Sequence, residues 1–332
     1  MLTTKSSVNH FRVGLMFAVA SALSFGMSGP FAKALMTAGW SPTAAVTARL
    51  VGGAVMMAIF ASFVRPRWWA EARRHLKTVV IYGAVPIAGA QLCYYNAVDH
   101  LSVGVALLLE YTAPILVVGW LWATTRRRPT GRTLAGVALA TAGIMLVLDV
   151  FSGAHINAVG VIWAAGSAVC AACYFMMSDT TAAAPDTEPL HPITLAAGGL
   201  IAGAVTVTLL GATGIMPFTV TSAPVTVAGF TTSWVFPALM LALVSTAVAY
   251  TLGIVGIAML RPGFASLVGL AEVLFAVLWA WLLVGEAMTP IQAIGGAVVL
   301  AGLALARTGD RTAASVGSPT DDIQPTAAAS TR

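Results

Sequence analysis

Charge is scarce in this chain. Of 332 residues only 17 are Lys or Arg and 12 are Asp or Glu, 9% in all, where soluble domains carry roughly 25%. A water-soluble globule of this size could not cover its surface with so few charges. That excludes a soluble enzyme, a nucleic-acid binder and a disordered chain. Cysteine is nearly absent too. Cys93, Cys170 and Cys173 all fall in apolar runs. The Cys170-x-x-Cys173 spacing has no second pair or histidine near it, so small helix-packing residues are a better reading than a metal or redox site. The five histidines are scattered through tails and loops with no His-Glu-x-x-His, and no lysine sits in a Gly-x-x-x-x-Gly-Lys context. Neither a metalloenzyme nor an ATP-driven motor is encoded, and no cofactor is expected.

What the chain has in abundance is hydrocarbon: 58% of residues are hydrophobic and the mean hydropathy is +0.89. Apolar stretches fall at 13–35, 43–64, 78–98, 102–123, 133–150, 158–178, 192–214, 233–256, 262–284 and 290–307. A membrane helix takes about 20 such residues. The expected fold is therefore an all-α integral membrane protein with ten transmembrane helices. The first stretch imitates a signal peptide, with Arg12 before it and Ala20-Ser21-Ala22 inside it. Its apolar run continues well past Ala22, so it reads as a retained span.

The pI near 9.4 is a topology signal before it is a partner signal. With a cytoplasmic N-terminus, Lys5, Arg12, Arg65, Arg67, Arg73, Arg74, Lys77, Arg126, Arg127, Arg128, Arg132, Arg261, Arg307, Arg311 and Arg332 all fall on the inner side, 15 of the 17 basic residues. The other two, Lys33 and Arg49, lie within apolar stretches. This sorting predicts both termini in the cytoplasm, with 1–12 and 308–332 as tails, the latter disordered.

The chain also repeats itself. A shift of 159 residues aligns 97–146 with 256–305 without a gap, and 13 of the 50 pairs are identical, among them Trp120/Trp279, Trp122/Trp281, Gly136/Gly295 and Gly143/Gly302. A shift of 146 pairs Val13/Val159, Gly14/Gly160, Ala18/Ala164, Ser21/Ser167 and Ala22/Ala168. The 13 extra residues fall in the uncharged loop near 215–232. Two five-helix repeats follow, 13–150 and 158–307, and because five is odd the second must be inverted. Inverted repeats of this kind are the architecture of secondary transporters, whose substrate site lies near the midplane between the halves. The matched glycines form small-residue stripes suited to close helix packing.

Ionisable groups inside a bilayer need a reason. Glu110 lies roughly 13 Å into the fourth stretch at 1.5 Å per residue, and Glu272 near the middle of the ninth. Under the 159-residue shift Glu272 matches Ala113, one turn from Glu110, so both are placed to face one central cavity as substrate-ammonium ligands or proton carriers. Arg49, seven residues into the second stretch, is a candidate for a substrate carboxylate. Lys33, near the outer end of the first, reads as a snorkelling side chain. Tyr94, Tyr95, Asn96, Tyr111 and Tyr250 complete the candidate substrate-binding set, with Gln91, Thr112, Ser245 and Thr246 as further polar lining. Pro30 and Pro114 are candidate hinges, because each removes a helical hydrogen bond.

Taken with the ten stretches and two inverted fives, several motifs resemble the EamA family of the drug/metabolite transporter superfamily over nearly all of 13–307. They are Phe25-Gly26 through Lys33 to Arg49, the run Val103-Gly104-Val105-Ala106-Leu107-Leu108-Leu109-Glu110-Tyr111-Thr112-Ala113-Pro114, the segment from Gly263 to Glu272, and the pair Gly285-Glu286. The fourth-helix run is most similar to bacterial threonine/homoserine-type exporters. The resemblance implies efflux of amino acids or related small metabolites across the cytoplasmic membrane by alternating access, with a small-molecule substrate, the lipid bilayer as surroundings and a homodimer as one candidate assembly. An importer, a carrier of sugars or drugs, and a membrane-embedded enzyme or sensor are the alternatives. The last would need a catalytic cluster or signalling domain, and the sequence has neither.

Overall fold

The structure, a computed structural model, describes residues 2–126, 130–147, 157–183, 190–259 and 271–316. Arg127 and Arg128, Arg261 with Gly263, and the tail beyond Val316 lie outside them.

Helices account for nearly every described element. α1 (Leu2–Gly26) and α2 (Ser28–Thr37) make one apolar span broken at Met27, because Pro30 has no N–H to offer the carbonyl four residues back. α3 (Pro42–Val64) starts at Ser41, whose Oγ accepts from Ala44 N at 3.2 Å. The short α4 (Trp68–Arg74) leads to α5 (Leu76–Tyr82), a π-helical segment (Gly83–Gly89) around Pro86, and α6 (Ala90–His100). α7 (Val103–Glu110) and α8 (Ala113–Thr125) are likewise one span, interrupted just before Pro114. α9 (Gly131–Val147), α10 (Ala158–Ala183) and α11 (Pro192–Ala212) follow. Then come the strands β1 (Val225–Val227) and β2 (Phe230–Thr232), α12 (Val235–Leu239), a second π-helical segment (Met240–Val248), α13 (Ala249–Met259), α14 (Ala271–Val284) and α15 (Pro290–Val316).

Six helical stretches are long and apolar enough to cross a membrane: Arg12–Thr37, Pro42–Val64, Leu76–His100, Val103–Thr124, Pro192–Ala212 and Val235–Gly256. Four shorter apolar helices accompany them: Gly131–Val147, Ala158–Tyr174, Ala271–Val284 and Pro290–Ala306. Every apolar stretch read from the sequence therefore carries helix. α1 starts before residue 13 and α15 runs past 307, because intrahelical hydrogen bonds do not require apolar surroundings to continue. Large apolar side chains point outward, Phe63 at 83% exposure and Met16 and Ile162 at 70% among them. A soluble protein would bury such a surface; hydrocarbon is its natural solvent. This is a multi-pass membrane protein.

Two features organise the packing. α9 and α15 meet through glycines: a Cβ on Gly136 would lie 2.6 Å from Gly302 O and one on Gly302 2.7 Å from Gly136 O, while Gly143 and Gly295 mirror this at 2.8 and 2.9 Å. The small-residue stripes expected from the sequence thus face one another, backbone to backbone. The loop near 215–232 is a strap rather than a free connection. Ser41 N donates to Thr219 O at 3.0 Å, Trp40 Nε1 to Thr221 O at 2.9 Å, Thr221 Oγ1 to Ala38 O at 2.8 Å and Ala228 N to Leu283 O at 2.7 Å. Its antiparallel hairpin pairs Val225 with Thr232 and turns through Ala228 and Gly229 at φ 54° and 78°, the left-handed pair that a tight hairpin turn requires.

Candidate functional site

A small cavity of about 30 Å³ lies where α2, α3, α6, α7 and α14 converge, lined by Arg49, Glu110, Glu272, Gln91, Tyr94 and Ser28 against the apolar Phe25, Leu107 and Ala276. The break at Met27 places Ser28 on the first turn of α2, facing the cavity. Arg49 sits in the second turn of α3 and is 3% exposed. Its guanidinium is gripped from three elements. Nε donates to Thr246 Oγ1 at 3.0 Å and Nη2 to Ser245 O at 3.2 Å, both on the second π-helical segment. Nη1 donates to Ser28 Oγ, to Gln91 Oε1 and, at 3.3 Å, to Tyr95 Oη. The Tyr95 ring lies 5.9 Å from the guanidinium carbon, and the Tyr95 and Ser28 hydroxyls are 2.9 Å apart. The π-helical turn explains part of this grip: the extra residue frees the carbonyl of Ser245 from the ordinary helical ladder.

The two carboxylates are held from the other side. Glu110, the last residue of α7, accepts from Ser167 Oγ of α10 at 2.8 Å. That hydroxyl also approaches Ala90 O at 3.0 Å. Glu272, in the first turn of α14, accepts from Tyr111 Oη at 2.7 Å. Arg49 forms an ion pair with neither of them; the ion pairs among the described residues are Lys33–Glu286 and Arg65–Glu71. Opposite charges therefore face one polar cavity, each held by neutral partners. Such a site can take a cation at the carboxylates and an anion at the guanidinium together.

The residues singled out from the sequence are placed as follows. Arg49, Glu110, Glu272 and Tyr94 line the cavity. Tyr95 and Tyr111 stand behind it and position Arg49 and Glu272. Tyr250 packs edge-on against the cavity residue Phe25 at 5.0 Å. Asn96 is not part of it: its Nδ2 donates to Leu92 O of its own helix at 2.7 Å, since position 96 falls on a different face of α6 from Gln91 and Tyr94. Pro30 and Pro114 lie just beyond the breaks at Met27 and Thr112. Lys33 does not snorkel freely as expected. Its Nζ donates to Val98 O at 2.6 Å and Leu101 O at 3.4 Å, 3.6 Å from Glu286 Oε1, because carbonyls at the end of α6 and a carboxylate lie within its reach. Ser28 and Ser167 were missed. The only sequence signal for them was the Ser21/Ser167 repeat match and the position of Ser28 before Gly29-Pro30. Among the described residues no group of three His, Cys, Asp or Glu could hold a metal ion.

A charge-lined cavity enclosed by apolar helices is the construction of a membrane transporter. Residues 12–149 and 158–308 each match the EamA-like transporter family, and the chain belongs to that family. Among curated relatives it is 27% identical over 295 residues to the uncharacterized transporter YwfM of Bacillus subtilis, covering 87% of this chain and 91% of that one. It is 27% identical over 256 residues to the threonine/homoserine exporter RhtA of Escherichia coli K12, covering 74% and 76%. A solved crystal structure superposes with a TM-score of 0.58 at 19% identity, covering 91% of this chain and 97% of that one. It shares the fold. The chain is a transporter, not an enzyme.

Proposed function

We propose that this protein is a secondary transporter that exports amino acids or similar small zwitterions across the cytoplasmic membrane. The observation that carries the reading is the pair of opposite charges facing one cavity without pairing. A substrate α-carboxylate binds at Arg49, and its ammonium lies between Glu110 and Glu272. The cavity itself, about 30 Å³, is far smaller than an open ligand site, so on this reading a substrate enters it only as the surrounding helices move apart. Export, as the direction, is suggested by the relative named as an exporter. Either glutamate can carry a proton when the substrate is absent, which makes proton exchange the natural coupling.

The frame is ten spans in two inverted halves, termini inside. Reciprocal contacts support it. Ser21 Oγ donates to Ala249 O at 2.7 Å, and Ser167 Oγ approaches Ala90 O at 3.0 Å. The repeat shifts carry Ser21 onto Ser167 and Ala90 onto Ala249. The first π-helical segment, Gly83–Gly89, maps by the same 159 residues into the second, Met240–Val248. The glycine contacts of α9 and α15 exchange in the same way. Substrate is released as one half rocks on the other, with bends at Pro30 and Pro114.

Counterflow of labelled threonine and an amino-acid panel into proteoliposomes, at two pH values, tests the reading with wild type and Glu110→Gln in parallel. Losing one charge-assisted hydrogen bond of roughly 1.5–3 kcal/mol should weaken transport affinity by one to two orders of magnitude and flatten its pH dependence. Saturable wild-type uptake unchanged in Glu110→Gln would remove that residue from the site. No amino-acid flux through well-folded protein would overturn the substrate class.

A further inference from the structure

From the contacts of Lys33 we infer that Lys33 and Glu286 form the gate of one mouth of the cavity, a role that rests on the transporter reading but not on the substrate. Lys33 follows the cavity residue Ser28 by five positions on α2, about 7.5 Å along the helix. Between them the chain is packed shut: a Cβ on Gly29 would meet Tyr94 Oη and Val103 Cγ1, and one on Gly104 would lie 2.9 Å from Val277 Cγ2 of α14. The ion pair sits directly beyond this constriction.

The pair joins four pieces of chain drawn from both repeats. Lys33 is on α2, and its ammonium also holds the last carbonyls of α6 through Val98 O and Leu101 O. Glu286 follows α14. Its Oε1 faces Lys33, while Oε2 accepts from Val103 N at 2.9 Å, at the start of α7, where the helix dipole favours a carboxylate. Separating α2 from α7 and α14 cannot occur without breaking these contacts. Lys33 and Glu286 side chains are 22% and 24% exposed. A pair this accessible contributes modestly to stability, which suits a contact that must break in every cycle. In the sequence, the 159-residue shift carries Glu286 onto Arg127 and the 146-residue shift carries Lys33 onto Asp179. The matched positions thus carry opposite charges with the signs exchanged, and their side chains lie outside the described ones.

Thiol labelling tests the gate without any substrate. Ala276→Cys places a reporter in the cavity wall of the full chain, with Cys93, Cys170 and Cys173 replaced by Ala. A membrane-impermeant maleimide is applied to each face of oriented vesicles in turn. Glu286→Gln and Lys33→Met should each raise labelling from one face alone on the order of tenfold, the scale of one charge-assisted hydrogen bond. The double variant should rise by clearly less than the two single effects combined, because the contact between the two side chains is shared. Lys33→Arg, which keeps the charge, should label as the parent does. The face that responds identifies the mouth. Additive effects, a rise from both faces, or no rise in variants that melt like the parent would overturn the gate. A side-specific rise in protein that moves no amino acid would leave the gate standing and remove only the substrate assignment.

Discussion

Replacing Arg49 by Lys keeps the buried charge and removes the fork. The guanidinium serves acceptors on opposite sides of the cavity: Ser28, Gln91 and Tyr95 toward α2 and α6, and Ser245 O and Thr246 Oγ1 on the second π-helical segment. A lysine has three donors on one nitrogen and can satisfy one side only. If it turns to Ser28 and Gln91, Ser245 O and Thr246 Oγ1 are left, in residues with 0% exposure. The Ser245 hydroxyl beside them is already without a hydrogen-bond partner. A buried group deprived of its partner costs about 1–3 kcal/mol, and because Thr246 keeps its donor bond to Leu241 O the loss is chiefly that of the Ser245 carbonyl, about 1–3 kcal/mol. Denaturant unfolding in detergent, followed by the nine tryptophans, should show Arg49→Lys destabilised by that amount. Proteoliposome competition should also show its preference for threonine over the decarboxylated amine falling about tenfold, since a point charge reads a carboxylate less well than a fork. If Arg49→Lys unfolds with the wild type and keeps the same preference, the fork geometry is irrelevant and Arg49 is a mere counter-charge.

Two further outcomes follow from packing and charge. Gly302→Val should destabilise the protein by about 1–3 kcal/mol, because the new Cβ meets Ala140 N and Gly136 O, backbone atoms that give way only if α9 and α15 separate; unchanged unfolding would mean that the two helices are not held there. Glu71, on α4 between spans, is subject to burial that raises its pKa, but the N–H of His191, the hydroxyl of Thr194 and Arg65 outweigh it and hold the carboxyl below its usual 4.5. A carboxyl depressed in the folded state contributes stability above its unfolded pKa that is lost as pH falls through the folded one. Melting temperatures measured downward from pH 5 should therefore fall less steeply in Glu71→Gln than in wild type, and parallel curves would refute the assignment.

Much of the frame was legible because lipid makes the code simple. Ten apolar runs carry helix, since a backbone in hydrocarbon has few other ways to satisfy itself. Gly136, Gly143, Gly295 and Gly302 could be read as contacts because glycine matched at a constant shift has little other use in a span. Arg49, Glu110 and Glu272 stood out because burying each is expensive. The partners were not legible. Ser28 and Ser167 are small polar residues that a span tolerates for many reasons, and only the fold reveals which carboxylate or guanidinium each one meets. Asn96 misled because composition places a polar residue on a helix without saying which face it takes. The π-helical turns leave no simple pattern, and the strap is built from Ser, Thr and backbone groups whose partners near α2 and α3 are some 180 residues away in sequence.

In the proposed inverted repeat the strap of residues 215–232 falls in one half only, and this bears on the energy of the two end states. If two inverted halves were identical, the conformations open to either side would be isoenergetic and the carrier would spend equal time in each. The hydrogen bonds that join the strap to Ala38, Trp40, Ser41 and Leu283 would then have no counterpart at the matching position of the other half. If even one of them is made in only one end state, its roughly 1 kcal/mol net skews the resting ratio about fivefold. On the proposed alternating-access reading, that asymmetry would let the frame idle with one mouth shut, the empty carrier waiting for its cargo on one side of the membrane.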